Sequence, residues 1–172
     1  LVVVEKEGIF NRLVEDGFCK RIPSVIITGL GYPPLYVRVL VHKISRTLGV
    51  PVYGLFDHGP HGVAIHLTYK LGSRRMGGAH AVKDMKFLGL QRNDIDELKL
   101  QTHPLSRNDL RAYCSLMNNP FFKREENKRL KNELDSMQAT GTKAELQSLF
   151  EVSIQHLSHN YLPQQILKHK YI

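Results

Sequence analysis

The chain has 172 residues, a 42% hydrophobic fraction and a formal net charge of +8, with a pI near 9.6. That length builds one core of ordinary size, and no apolar run approaches the roughly 20 residues of a helical membrane span, so no membrane partner is expected. The basic balance favours polyanions such as nucleic acid, while Cys19 and Cys114 form no CxxC pair, which argues against a zinc-thiolate or disulfide framework and for a reducing compartment.

Val2 to Val4 reads as a fully buried strand that ends in Glu5. The chain opens on this strand with neither Met nor a visible signal peptide, so a fragment lacking an N-terminal part is expected. Ile9, Phe10, Leu13 and Val14 recur at helical spacing, and Gly17 is placed to stop that helix. Val25-Ile26-Ile27 is a second buried strand. The Thr28-Gly29-Leu30-Gly31 turn after it either presents backbone N–H groups to a phosphate or is simply a tight turn. Leu35 to Leu48 is a helix with Val37, Leu40, Val41, Ile44 and Leu48 on one apolar stripe and Arg38, His42, Lys43 and Arg46 largely off it. Gly49 and Pro51 end it.

Val52 to Phe56 is the third strand, closed by Asp57, and Pro60 suits the first turn of the helix that follows. Arg74 to Gly78 is a basic loop, and Val82 to Leu88 a short edge strand before Gly89. Beyond it, segments near 107–117, 121–138, 142–157 and 159–168 have the spacing of amphipathic helices. The β-α-β-α-β order with near-continuous apolar strands predicts an α/β fold, a mostly parallel sheet flanked by helices with a helical C-terminal elaboration, as one domain over 1–172.

Ligands of such sheets gather at the carboxyl ends of the strands. If the first and third strands are neighbours, Glu5 and Asp57 face each other across one cleft. Two carboxylates that close repel unless a cation or a proton intervenes, and their hard oxygens suit Mg²⁺. His58, His61 and His66 form no HxxxH or HExxH arrangement, so turn and surface positions are expected for them instead of a zinc site. Basic clusters at Lys20-Arg21, Arg74-Arg75, Lys123-Arg124, Lys128-Arg129-Lys131 and Lys168 to Lys170 are solvated charge or DNA contacts.

Glu5 after one strand, Thr28-Gly29-Leu30-Gly31 after the next and Asp57-x-x-Pro60-x-Gly62 after the third together resemble a Toprim domain, the metal-binding fold of topoisomerases, bacterial primases and some nucleases. Val4-Glu5-Lys6-Glu7-Gly8-Ile9-Phe10, Tyr69-Lys70-Leu71-Gly72-Ser73, Phe87-Leu88-Gly89-Leu90, Leu105-Ser106-Arg107-Asn108-Asp109, Lys143-Ala144-Glu145-Leu146-Gln147 and Tyr161-Leu162-Pro163 narrow the resemblance to the A subunit of topoisomerase VI and its meiotic relative, the transesterase that makes recombination-initiating double-strand breaks. The Glu-Lys-Glu-Gly-Ile-Phe start and the Asp-x-x-Pro-His-Gly turn lean toward the meiotic branch.

The resemblance implies a tyrosine that attacks a DNA phosphodiester, with Glu5 and Asp57 as catalytic Mg²⁺ ligands. It also implies a homodimer cutting both strands of double-stranded DNA, a nuclear location and a B-type ATPase subunit. The tyrosine is expected in a winged-helix domain preceding this chain, and none of the seven tyrosines here inherits its role. The family pattern at the third strand is Asp-x-Asp, and here Gly59 stands where the second Asp is expected. The sequence is therefore compatible with single-metal chemistry, with a cleavage-deficient DNA-binding and dimerisation scaffold, or with another Toprim nuclease or primase.

Overall fold

Short apolar runs flanked by glycine or proline become neighbouring strands of one sheet. The computed structural model describes residues 1–73 and 77–172. Strands β1 (Val2–Val4), β2 (Ile26–Thr28), β3 (Tyr53–Leu55) and β4 (Lys86–Gly89) are all parallel, in the order β2-β1-β3-β4. Parallel neighbours need crossovers. These are α1 (Glu7–Glu15) with α2 (Phe18–Arg21), then α3 (Leu35–Leu48), then α4 (Pro60–Leu71). Side chains alternate through β1: Leu1 and Val3 pack with Val37 and Val41 of α3 and Val63 and Leu67 of α4. Val2 and Val4 pack on the other face with Ile9 and Leu13 of α1. Each such valine contributes about 1.5–3 kcal/mol by leaving water.

The C-terminal half supplies α5 (Arg92–Leu98), β5 (His103–Pro104), α6 (Arg107–Met117), α7 (Lys128–Thr140), β6 (Thr142–Lys143), α8 (Leu149–Val152) and α9 (Leu162–Leu167). Leu116 of α6 and Leu130, Leu134 and Met137 of α7 close one face of the sheet. Ile95 of α5, Leu149 of α8 and Leu162 of α9 close the other. The α/β class and the flanked parallel sheet match the sequence expectation. Among the described residues no helix is long and apolar enough to cross a membrane.

Several details differ. The strand expected over Val82–Leu88 begins only at Lys86; Val82 and Met85 are core residues of a preceding turn closed by the Met85 N–H donating to Val82 O at 3.0 Å. The stripe on α3 is narrower than its periodicity suggests, since Leu40 and Leu48 are 47% and 59% exposed. Arg38, expected off that stripe, is only 5% exposed and donates to Ser73 Oγ at 3.3 Å. The 121–138 segment starts as two 3₁₀ turns, Pro120–Lys123 and Glu125–Asn127, because Asn119 and Asn127 bond their own turn backbone. Residues 142–157 are not one helix: β6 pairs antiparallel with β5, a 3₁₀ turn covers Leu146–Ser148, and only Leu149–Val152 is α-helical. The 159–168 helix is a π-helical turn at Leu157–Tyr161 running into α9. Arg74 and Arg75, expected in a basic loop, lie outside the described residues.

Candidate metal centre

β1 and β3 run side by side with Val4 opposite Leu55, so the residues just past their carboxyl ends share one rim. The Glu5 N–H donates to Leu55 O at 3.1 Å, and the Asp57 N–H donates to Glu5 Oε2 at 2.9 Å. Both acids line a cavity of about 180 Å³ together with His61, Asp109, Lys143 and Glu145. Gly62 is required here by close approach: a Cβ on it would run into the Asp57 carbonyl oxygen. The first turn of α4 therefore seats directly on the Asp57 backbone.

A strand from the far end of the chain completes the site. His58 and Ala144 exchange both backbone hydrogen bonds at 2.9 Å. This brings the Leu146 N–H to Asp57 Oδ1 at 2.9 Å. The other oxygen, Oδ2, meets Lys6 Nζ at 2.7 Å, and the same ammonium lies 2.9 Å from Glu145 Oε2 and 3.3 Å from Gln147 Oε1. In the same cavity Lys143 Nζ donates to Asp109 Oδ2 at 2.8 Å; that carboxylate also accepts from the Ser106 N–H, while Ser106 Oγ accepts the Asp109 N–H and caps α6. His61 Nδ1 bonds Tyr32 Oη at 3.0 Å.

Burial, and then the charge of Asp57, push the Glu5 carboxyl up to about 7. Burial raises Asp57 as well, against the pull of Lys6 and the Leu146 N–H. Glu5 and Asp57 are thus buried together, a setting in which a cation or a proton relieves the cost of charge.

The structure brings together the two acids singled out from sequence. Two of the three histidines do not follow expectation: His58 and His66 are each 1% exposed, whereas the His61 side chain is 44% exposed. The His58 ring faces Leu90 O at 3.3 Å, and burial pushes it down to about 4. Lys6, Asp109, Lys143 and Glu145 carry no role in the sequence reading, although each falls inside a stretch that carries the resemblance. The Thr28–Gly31 segment forms a tight turn, its Gly31 N–H donating to Glu5 O at 2.8 Å and its Leu30 N–H to Thr28 Oγ1 at 3.2 Å.

The model of the Toprim domain shared by the topoisomerase 6 A-subunit and Spo11 proteins matches residues 1–166. The chain belongs to this family. It is 36% identical to the mouse protein named meiotic recombination protein SPO11 over 173 residues, covering 96% of this chain and 43% of the relative. It is 32% identical over 178 residues to the A3 subunit of DNA topoisomerase 6 from Oryza sativa subsp. indica (100% and 40%). To the A subunit of DNA topoisomerase 6 from Arabidopsis thaliana it is 33% identical over 169 residues (95% and 39%). The chain therefore spans less than half the length of these relatives.

The Toprim fold implies Mg²⁺, and the donors fit it. Among the described residues no three His, Cys, Asp or Glu side chains form a ready-made metal cage. A pair of carboxylates is nevertheless a common Mg²⁺ seat, since the ion keeps waters and takes phosphate oxygens for its remaining positions. Gly59 lines the same cavity with extended backbone, φ −168°. A Cβ there would meet only Lys143 Cβ at 3.7 Å and Cδ at 3.9 Å. A carboxylate side chain at position 59 is thus compatible with both the backbone and the space.

Proposed function

We propose that this chain is the Mg²⁺-binding portion of a type IIB topoisomerase-like A subunit, whose whole protein makes DNA double-strand breaks by tyrosine transesterification on the meiotic, recombination-initiating branch. The observation that carries this reading is the convergence of Glu5 and Asp57 on one strand rim. It is supported by relatives named for meiotic recombination and for DNA topoisomerase 6. Glu5 and Asp57 hold the ion, and the paired backbones of β1 and β3 fix their separation. The Leu146 N–H pins one Asp57 oxygen, and Lys6 meets the other. The chemistry that Mg²⁺ supplies when bound there is neutralisation of charge on the phosphoryl group being transferred. The nucleophilic tyrosine belongs to a winged-helix domain outside these 172 residues. The partners are duplex DNA, a second A-type protomer in a homodimer, and a B-type ATPase subunit; the compartment is the nucleus.

Isothermal titration with MgCl₂ tests the site. Binding should be at least about tenfold weaker in Glu5→Gln and Asp57→Asn, as expected when a ligand or its supporting partner is removed. Gly59→Asp should strengthen it, because position 59 opens on the same cavity. A second reading, a DNA-binding and dimerisation scaffold without cleavage, is favoured specifically by Gly59. Under that reading wild type, Glu5→Gln and Asp57→Asn are equally silent to Mg²⁺.

A further inference from the structure

We infer that the Lys6 ammonium is a built-in counter-ion of this site, shared among Asp57 Oδ2, Glu145 and Gln147 before a divalent cation binds and left on Glu145 and Gln147 alone once it does. The inference rests on the reading of Glu5 and Asp57 as Mg²⁺ ligands. Its basis is how the two Asp57 oxygens are divided. Oδ1 is committed to the Leu146 N–H at 2.9 Å, so Oδ2 is the oxygen open to a cation, and Lys6 Nζ already sits 2.7 Å from it. Mg²⁺ binds carboxylate oxygens at about 2.0–2.1 Å. An ammonium and a divalent ion sharing Oδ2 would be brought within a few ångströms of each other in a half-buried cleft, where like charges repel strongly.

The site also contains the place to which Lys6 can go. Glu145 Oε2 and Gln147 Oε1 are 2.9 and 3.3 Å from Nζ in the same arrangement. The Lys6 side chain is 30% exposed and that of Glu145 47% exposed, so neither is locked in the core. Lys6 is the N-cap residue of α1, immediately after Glu5. Its backbone is therefore tied to the β1 end, and the movement needed is a side-chain rotation. Such an arrangement keeps the carboxylates compensated before metal arrives. It also favours divalent over monovalent ions, since the incoming cation must outcompete a full positive charge already in place.

The test is MgCl₂ titration calorimetry on the 172-residue chain with Lys6→Met, Lys6→Gln and Lys6→Arg. Removal of the charge in Met and Gln should tighten Mg²⁺ binding about tenfold, within the usual range of site–site coupling. Arg, which keeps the charge, should not tighten it. The Met and Gln variants should melt below wild type without metal, and saturating Mg²⁺ should narrow the gap. Glu145→Gln should weaken binding in wild type but far less in the Lys6→Met background, because Glu145 acts through Lys6. If Asp57→Asn abolishes binding while Lys6→Met and Lys6→Gln leave it unchanged or weaker, the counter-ion role is wrong and the metal site stands. If neither wild type nor any Lys6 variant binds Mg²⁺, the metal site itself is wrong and the inference falls with it. A silent wild type beside a binding Lys6→Met supports both.

Discussion

His66 is wedged edge-on against Phe56 and Phe87, and burial pushes its imidazole down to about 3. Its folded pKa lies below the unfolded value near 6.5, so the unfolded chain takes the proton first as pH falls. The stability it contributes is complete above about pH 6.5 and is lost as pH falls toward about 3, at about 1.4 kcal/mol per pH unit within that window. His66→Phe should therefore flatten the loss of stability between about pH 7 and pH 5, read as urea midpoints at the two pH values. An unchanged slope would mean the ring is not held neutral. A second buried polar group is better satisfied: Asp94 accepts from Tyr161 Oη at 2.6 Å, Gln165 Nε2 at 2.8 Å and the Gln91 N–H at 2.9 Å. Tyr161→Phe removes one donor to a buried carboxylate and should cost about 1–3 kcal/mol in urea unfolding.

Among the elements, the decisive piece is the stretch from Thr142 to Ser148. Its apolar residues fit a helical spacing, yet Gly141 turns the chain out of α7 at φ 66° and the backbone pairs with β5 and with His58 instead. Ala144 and Leu146 enter the core from an extended strand and a 3₁₀ turn. A helix over these residues would have withdrawn the Leu146 N–H from Asp57. Ala144→Pro tests this element, because it removes the N–H that donates to His58 O at 2.9 Å. It should cost about 1–3 kcal/mol in unfolding experiments, and calorimetry should show weakened Mg²⁺ binding, since Asp57 loses its brace. Unaltered Mg²⁺ affinity in a destabilised variant would separate the strand from the site.

Across the whole molecule, Lys6 and Lys143 are paired with the carboxylates of the metal centre, and other basic residues lie elsewhere. Lys70, Lys83, Lys86 and Arg124 instead line a cavity of about 720 Å³ with His66. That cavity lies along the C-terminal half of α4, roughly 9–17 Å along the helix axis from Pro60. Lys20 and Arg21 sit elsewhere, on α2, with Arg21 bonded to Ser158 O at 3.3 Å. A chain with a net charge of +8 should bind duplex DNA without strong sequence preference, and fluorescence anisotropy should show affinity falling steeply between roughly 50 and 200 mM salt. A salt-independent affinity would remove the phosphate backbone as the partner.

The parallel α/β sheet and an acid just past the first and third strands follow from residue order alone, while the pairing of those two strands was decided by the tertiary structure. The sheet and the acids depend on local signals: uninterrupted apolar runs, the glycines and prolines that bound them, and a carboxylate just past those two runs. The family is written there too, because the motifs keep their order along the whole chain. What surrounds those acids came instead from three-dimensional packing. Lys6 meets Glu145 across 139 positions and Asp57 meets Leu146 across 89, and no periodicity encodes such pairings. The same holds for the expected 142–157 helix that opens as a short strand and a 3₁₀ turn, for Arg38 drawn inward, and for His58 and His66 buried where turns or surface were expected. In each case the environment comes from elements distant in the chain, and burial against those elements outweighs the local pattern.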